Sequence, residues 1–206
     1  MKSEAAIRRC RIVAAPPDWP LIHVLAVTHP GELQQGPAQK RAAARKRVRR
    51  LLLQYAGPAI AAPFLFTPGS AAGAGRASFS HGQSFSILAW CEQGCVGVDL
   101  VELSGLASAS PKDLALMATL YMGEKSAARE AWTMTTHSVR QRFADAWARQ
   151  EARLKCLGLE LEESYAALQV RLSDCSTARV ALPPSFGADA DAGAAWIAWR
   201  FQTPAP

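Results

Sequence analysis

Short apolar runs alternate with longer segments of helical periodicity, and this alternation restricts the fold more than any other feature of the sequence. Apolar runs bounded by turn residues predict strands at residues 21–27, 85–91, 95–100, 166–172 and 195–201. Apolar residues at helical spacing, with suitable residues at the ends, predict helices at 38–55, 111–121 and about 139–157. This order of elements is typical of the α+β class.

The middle of the chain predicts how the elements are grouped. The short link Glu92-Gln93-Gly94 predicts that 85–91 and 95–100 pair as a β-hairpin. Residues 56–78 are rich in Gly, Pro, Ala and Ser, which predicts a loop. The element order is compatible with two similar α+β halves, which we place at residues 1–98 and 99–206.

The net charge of +6 is distributed unevenly between these halves. Residues 1–98 carry 12 Lys/Arg and 4 Asp/Glu, a net +8, and residues 99–206 carry 11 and 13, a net −2. Seven of the cations fall within residues 40–50. This basic run is open to three interpretations: a solvated helix face, a nonspecific nucleic-acid patch, or a site for a polyphosphorylated small molecule.

The cysteines and the apolar stretches bear on the cellular compartment. Five cysteines, an odd number without a second pair at metal-ligand spacing, predict free thiols and neither a disulfide framework nor a zinc site. The long uncharged stretch 51–75 is interrupted by prolines and glycines, which argues against a membrane-spanning helix. Prolines also break the apolar run near the N-terminus, so we expect no export signal and a cytoplasmic protein.

A carboxylate and a helix face are the first candidates for chemistry. Asp99 lies in the apolar strand 95–100, and a carboxylate shielded from water needs a cation, a donor or a metal. Glu151 and Lys155 lie four residues apart, so they share one helix face. They form either an ordinary helix ion pair or part of a site. Asp99 is either a residue that caps the strand end or, with Glu151, a ligand for Mg²⁺.

A third candidate is His81, which is flanked by Ser80 and Gly82. A histidine in such a segment can donate a hydrogen bond to a phosphate, with help from nearby backbone N–H groups. The alternative is a structural histidine that hydrogen-bonds within the fold.

Three motifs containing these residues follow one another in a recognisable order and spacing. They are Phe79-Ser80-His81, then Val96-Gly97-Val98-Asp99-Leu100, then Trp147-x3-Glu151-Ala152-x2-Lys155-x2-Gly158. Together they resemble the 4′-phosphopantetheinyl transferases, in particular the larger pseudo-dimeric type similar to the surfactin-synthetase activator.

The resemblance implies a fold and a reaction. The fold is two similar α+β halves with the active site at their interface, and one chain makes a whole site, so we expect a monomer. The reaction moves phosphopantetheine from coenzyme A to a serine of an acyl or peptidyl carrier protein and releases adenosine 3′,5′-bisphosphate.

The resemblance also implies roles for individual residues. Asp99 and Glu151 would bind Mg²⁺, with Mn²⁺ as the alternative ion. Glu151 would in addition be the general base, and Lys155 would contact the phosphate under attack. The groups that bind coenzyme A would be Arg45 at the 3′-phosphate, Arg76 near the adenine, and Ser80, His81 and Lys155 at the phosphates.

One departure from the family pattern concerns the metal site. The family often has an acidic residue two positions after the aspartate, where this chain has Val101, and Glu102 follows one position later. Alternation along a strand predicts that Glu102 faces the other side. We therefore expect a metal site of two carboxylates completed by water.

The sequence is also compatible with two other functions. One is a degenerate transferase fold that binds coenzyme A or carrier protein without catalysis. The other is a nucleic-acid-binding protein that uses the cations at 40–50, which would leave Asp99 and Glu151 without a role.

Overall fold

The structure is a computed structural model that describes residues 7–28, 38–57, 77–122, 136–159, 175–183 and 193–201. The strands are β1 (Ile7–Arg9), β2 (Arg11–Val13), β3 (Ile22–Thr28), β4 (Ala77–His81), β5 (Phe85–Cys91), β6 (Cys95–Glu102), β7 (Ser176–Ala181) and β8 (Gly193–Arg200). The helices are α1 (Ala38–Ala56), α2 (Pro111–Met122) and α3 (Thr136–Leu157), with a 3₁₀ turn at Leu103–Leu106.

The strands form two four-stranded antiparallel sheets, which confirms the α+β class. The first sheet has the order β1-β3-β5-β4 and the second β2-β7-β8-β6. In each sheet one long strand precedes the helical part, and two consecutive strands follow it. The last of these lies between the other two. Three strands of each sheet therefore share one connection order.

The two sheets pack face to face and each is covered on its outer side by a helix. The core between them includes Val24, Ile87, Val98 and Ile197. On the first sheet, Leu52 and Leu53 of α1 pack on Leu25, Val27 and Leu88. On the second, Ala144, Ala148 and Ala152 of α3 lie against the sheet. The layer order is helix, sheet, sheet, helix, so β5 is buried on both faces, and its sequence is apolar except for Ser86.

The helix ends follow local signals in the sequence. The Ser110 Oγ accepts a hydrogen bond from the Asp113 backbone N–H at 3.2 Å, as expected for the N-cap of α2. Gly158 adopts a φ of 66°, and the N–H of Leu159 donates to the carbonyl of Leu154, which ends α3 at the predicted glycine.

The N-terminal strand pair joins both sheets. β1 pairs with β3 in the first sheet, and β2 pairs with β7 in the second. Between them the Cys10 N–H donates to the Val24 carbonyl at 2.9 Å. The chain therefore crosses from one sheet to the other at Cys10.

The predicted hairpin of 85–91 with 95–100 is wrong, although both strands exist. β5 pairs with β3 and β4, and β6 pairs with β8. The link at residues 92–94 carries the chain from one sheet to the other. The change of sheet thus falls shortly before the predicted boundary at residue 98, which lies inside β6.

The remaining differences concern short or polar strands. β1, β2 and β7 were not predicted, and β4 begins inside the segment predicted as a loop. The predicted strand 166–172 lies outside the described residues. Among the helices that the structure describes, none is both long enough and apolar enough to span a bilayer. The five cysteines are free thiols.

Candidate active site

Strand β4 lies at the centre of the candidate site, because its alternate side chains contact different parts of the fold. Ser78 and Ser80 are buried and turn towards β6. Phe79 and His81 turn towards α1, where Arg49 contacts both. The motif Phe79-Ser80-His81 is therefore a strand between two groups of charged residues.

The first group pairs Asp99 of β6 with Lys155 of α3. The Lys155 Nζ lies 2.5 Å from the Asp99 Oδ1. It also donates to the carbonyls of Phe79 at 3.4 Å and of Val98 at 3.3 Å. The Asp99 side chain is 10% exposed and the Lys155 side chain 32%. The carboxylate is thus shielded and paired, while the Lys155 side chain stays partly exposed.

Gly97 explains how α3 comes close enough to β6 for this pair to form. It lies two residues before Asp99, on the face of β6 that α3 covers. A Cβ at this position would overlap the backbone of α3 at the Ala152 carbonyl and the Cys156 nitrogen. The absence of a side chain at residue 97 therefore sets the distance between helix and strand.

Glu151 lies one helical turn before Lys155 and belongs to the same group. Burial is the main cause that raises the pKa of Glu151, and repulsion from Asp99 adds to it, while Lys155 acts in the opposite direction. Glu151 and Lys155 share a face of α3, so Glu151 lies near the Asp99 carboxylate that Lys155 contacts. A glutamate with a raised pKa is a better proton acceptor near neutral pH than an ordinary one.

Glu102 takes no part in this group. Its carboxylate is buried and accepts hydrogen bonds from the backbone N–H groups of Ser84 and Phe85 in the β4–β5 turn. Across the described ranges, no three or more His, Cys, Asp or Glu side chains are placed to hold a metal ion together. Asp99 and Glu151 are thus two carboxylates without a third acidic partner in that part of the chain.

The second charged group joins α1 to the end of β4. The Arg49 Nε–H donates to the His81 Nε2 at 3.0 Å, and the guanidinium lies 5.3 Å from the centre of the Phe79 ring. The His81 Nδ1 lies 2.8 Å from the Ser86 Oγ. Because Nε2 accepts from Arg49, the neutral ring carries its proton on Nδ1 and donates it to Ser86.

Arg45 lies one turn before Arg49 on α1, a helix without acidic residues. Burial and repulsion from Arg45 lower the pKa of Arg49. Two neighbouring cations of this kind are stabilised by an anion placed between them.

No protein-family model matches this chain, and neither does any curated protein or solved structure.

The structure brings most of the predicted site residues together through β4. Asp99, Glu151 and Lys155 form one group, and His81 forms the other with Arg49 and the adjacent Arg45. Arg76 lies outside the described residues. The hydroxyl of Ser80 donates to Asp99 and accepts from the Leu100 N–H, so it holds the carboxylate in this structure. Its predicted contact with a phosphate stays a prediction.

Arg49 is the residue that the sequence reasoning did not single out. It is one of seven cations within eleven residues, and composition does not distinguish it from its neighbours. Its helical spacing from Leu52, Leu53 and Ala56 was the available signal, because it places Arg49 on the face that packs against the first sheet.

Proposed function

We propose that the protein is a 4′-phosphopantetheinyl transferase, which moves phosphopantetheine from coenzyme A to a serine of an acyl or peptidyl carrier protein. The observation that carries the proposal is the placement of β4. Three consecutive residues contact Lys155, Asp99 and Arg49, which come from three separate elements. One strand therefore contacts both charged groups, which supports a site for a substrate with phosphates at two positions.

The chemistry of the carboxylates fits a hard divalent cation. Asp99 and Glu151 are close enough to repel each other, and oxygen ligands are those that Mg²⁺ and Mn²⁺ prefer. When bound with water and substrate phosphates, such an ion would neutralise charge on the pyrophosphate.

The chain's own residues account for the proton and for the binding of phosphate. The carrier serine oxygen attacks the phosphorus next to pantetheine, its proton passes to Glu151, and the bond to adenosine 3′,5′-bisphosphate breaks with its electrons on the leaving oxygen. Lys155 is held by two backbone carbonyls and Asp99, and its positive charge stabilises the phosphate under attack. Arg45 and Arg49 bind phosphates at the other end of coenzyme A. His81 holds the Arg49 guanidinium in place, and its predicted contact with a phosphate stays a prediction.

The shared strand order supports a second part of the proposal. Three strands of each sheet have the same connections, as expected if the chain consists of two related halves. Contacts of Phe79 and Ser80 with Lys155 and Asp99 join residues from both halves, so we place the active site at their interface. Action as a cytoplasmic monomer stays a prediction of the sequence.

The direct test is the intact mass of an apo carrier protein after incubation with this protein, coenzyme A and Mg²⁺. We expect a gain of one phosphopantetheine, which EDTA prevents and which Asp99→Asn reduces at least about 100-fold. Glu92→Gln, which alters an exposed carboxylate in the link after β5, is the matched control and should transfer normally.

Two negative results have different meanings in this assay. Coenzyme A binding without any mass gain would support the degenerate transferase. Absence of both would direct attention to nucleic acid, for which the exposed and acid-free surface of α1 is the only observation in favour among the described residues.

The proposed coenzyme A contacts predict a separate kinetic effect. Arg45→Ala and Arg49→Ala should each raise the KM for coenzyme A about tenfold or more, the loss typical of a charged hydrogen bond, with a smaller change in kcat. Arg50→Ala removes the same charge from a position about 100° around the helix from Arg49 and should leave KM unchanged. Equal KM values for all three variants would place the phosphates elsewhere.

A further inference from the structure

Strands β4 and β6 each lie at an edge of their own sheet, and they are joined by side-chain hydrogen bonds instead of backbone pairing. The Ser78 Oγ accepts a hydrogen bond from the Val98 N–H at 3.0 Å, and the Ser80 Oγ accepts one from the Leu100 N–H at 3.2 Å. β6 pairs with β8 through its other edge, so these N–H groups have serine hydroxyls as partners in place of a strand. Both serines are buried, and their structural roles are alike.

Ser80 makes one contact that Ser78 does not. Its hydroxyl donates to the Asp99 Oδ1 at 2.8 Å, the same oxygen that the Lys155 Nζ approaches. Two donors on one carboxylate oxygen fix the rotation of the carboxyl group. No described residue donates a hydrogen bond to Oδ2, which is thereby the oxygen left for another ligand.

We propose that Ser80 is a positioning residue that orients Asp99 so that Oδ2 is presented to the divalent cation. This inference rests on the proposed function and gives Ser80 a role different from the phosphate contact that the family resemblance implies. Ser80 is 6% exposed and Asp99 7%, so the hydroxyl holds a carboxylate that water reaches poorly. Removal of the hydroxyl frees the carboxyl group to rotate and lowers its affinity for the cation.

The two serines provide a matched pair of variants. Ser80→Ala and Ser78→Ala each leave one buried N–H of β6 without its partner, so both should lower the melting temperature. Only Ser80→Ala also releases Asp99. We expect it to weaken Mn²⁺ binding, measured by calorimetry on the full chain, by about 10–100-fold, while Ser78→Ala binds Mn²⁺ like the wild type. Ser80→Thr keeps a hydroxyl and should restore most of the affinity.

The outcomes separate this inference from the proposed function. Equal Mn²⁺ affinity in Ser80→Ala and Ser78→Ala, with wild-type transfer intact, would show that the serine only joins two strands and would overturn the inference. Normal Mn²⁺ binding with weakened coenzyme A binding in Ser80→Ala would also overturn it, in favour of the phosphate contact. A wild-type protein that neither binds Mn²⁺ nor transfers phosphopantetheine would overturn the proposed function and this inference together.

Discussion

We expect Glu151→Gln to abolish transfer and at the same time to raise the melting temperature at neutral pH. Loss of a general base typically costs about 10²–10⁴-fold in rate, and the proposed metal loses a ligand as well. The gain in stability has a different cause. Burial and the repulsion of Asp99 raise the pKa of Glu151, so its ionised form opposes folding.

The change in melting temperature caused by Glu151→Gln depends on pH, because the folded state raises the pKa of Glu151. A carboxyl group with a raised pKa in the folded state stabilises the fold at low pH, and this contribution is lost as the pH rises through that pKa. Glutamine does not ionise, so the variant avoids the loss. The difference in melting temperature should therefore be largest at about pH 7.5 and should disappear as the pH falls towards the ordinary glutamate pKa of about 4.3.

Glu102→Gln is the control with the opposite expected sign. Both oxygens of that buried carboxylate accept hydrogen bonds from the N–H groups of Ser84 and Phe85, and glutamine would replace one of these oxygens with a donor. Its replacement should lower the melting temperature at neutral pH. A decrease for Glu151→Gln as well would mean that attraction to Lys155 exceeds the cost of burial. Undiminished transfer would remove Glu151 from the mechanism.

The second large effect is expected from Gly97→Ala. An added methyl group would overlap the backbone of α3 at Ala152 and Cys156, and a helix backbone has no rotamer with which to move aside. Overpacking of this kind typically costs about 1–3 kcal/mol, and α3 must shift away from β6. Because α3 carries Glu151 and Lys155, a shift of about 1 Å should also reduce transfer about 100-fold.

Gly105→Ala makes the same chemical change where there is room for it. A Cβ there would meet the Gln83 side chain at 3.4 Å, an ordinary contact. Urea unfolding and the carrier-protein mass assay on both variants test the expectation. Equal stability and equal activity would show that α3 does not lie as close to β6 as described.

The sequence predicted the buried strands and the helices well because their local signals are strong. β5 is buried on both faces, and its sequence is apolar except for Ser86. The ends of α2 and α3 are set by Ser110 and Gly158, whose roles depend only on local backbone geometry. Glu102 and Asp99 lie on opposite faces of β6, as strand alternation alone predicts.

The pairing of strands and the role of β4 depend on contacts that local patterns do not contain. The sequence of a strand that is buried on both faces does not indicate which strand it pairs with. The short link after β5 therefore favoured a hairpin over a change of sheet. Ser78 and Ser80 look like loop residues because polar side chains seldom face a core. They are buried because β6 offers them N–H groups at its edge.

The crossing at Cys10 makes the two sheets dependent on each other during folding. Arg11–Val13 are synthesised long before Arg179–Ala181, with which they pair. The second sheet also needs β8, so it cannot close until residue 200 has been synthesised, and contacts so distant in sequence form slowly. Until then its open edge is available to other chains, a period in which a nascent polypeptide is vulnerable to aggregation. A fragment of residues 99–206 would carry that open edge permanently, so the halves are better studied within the intact chain.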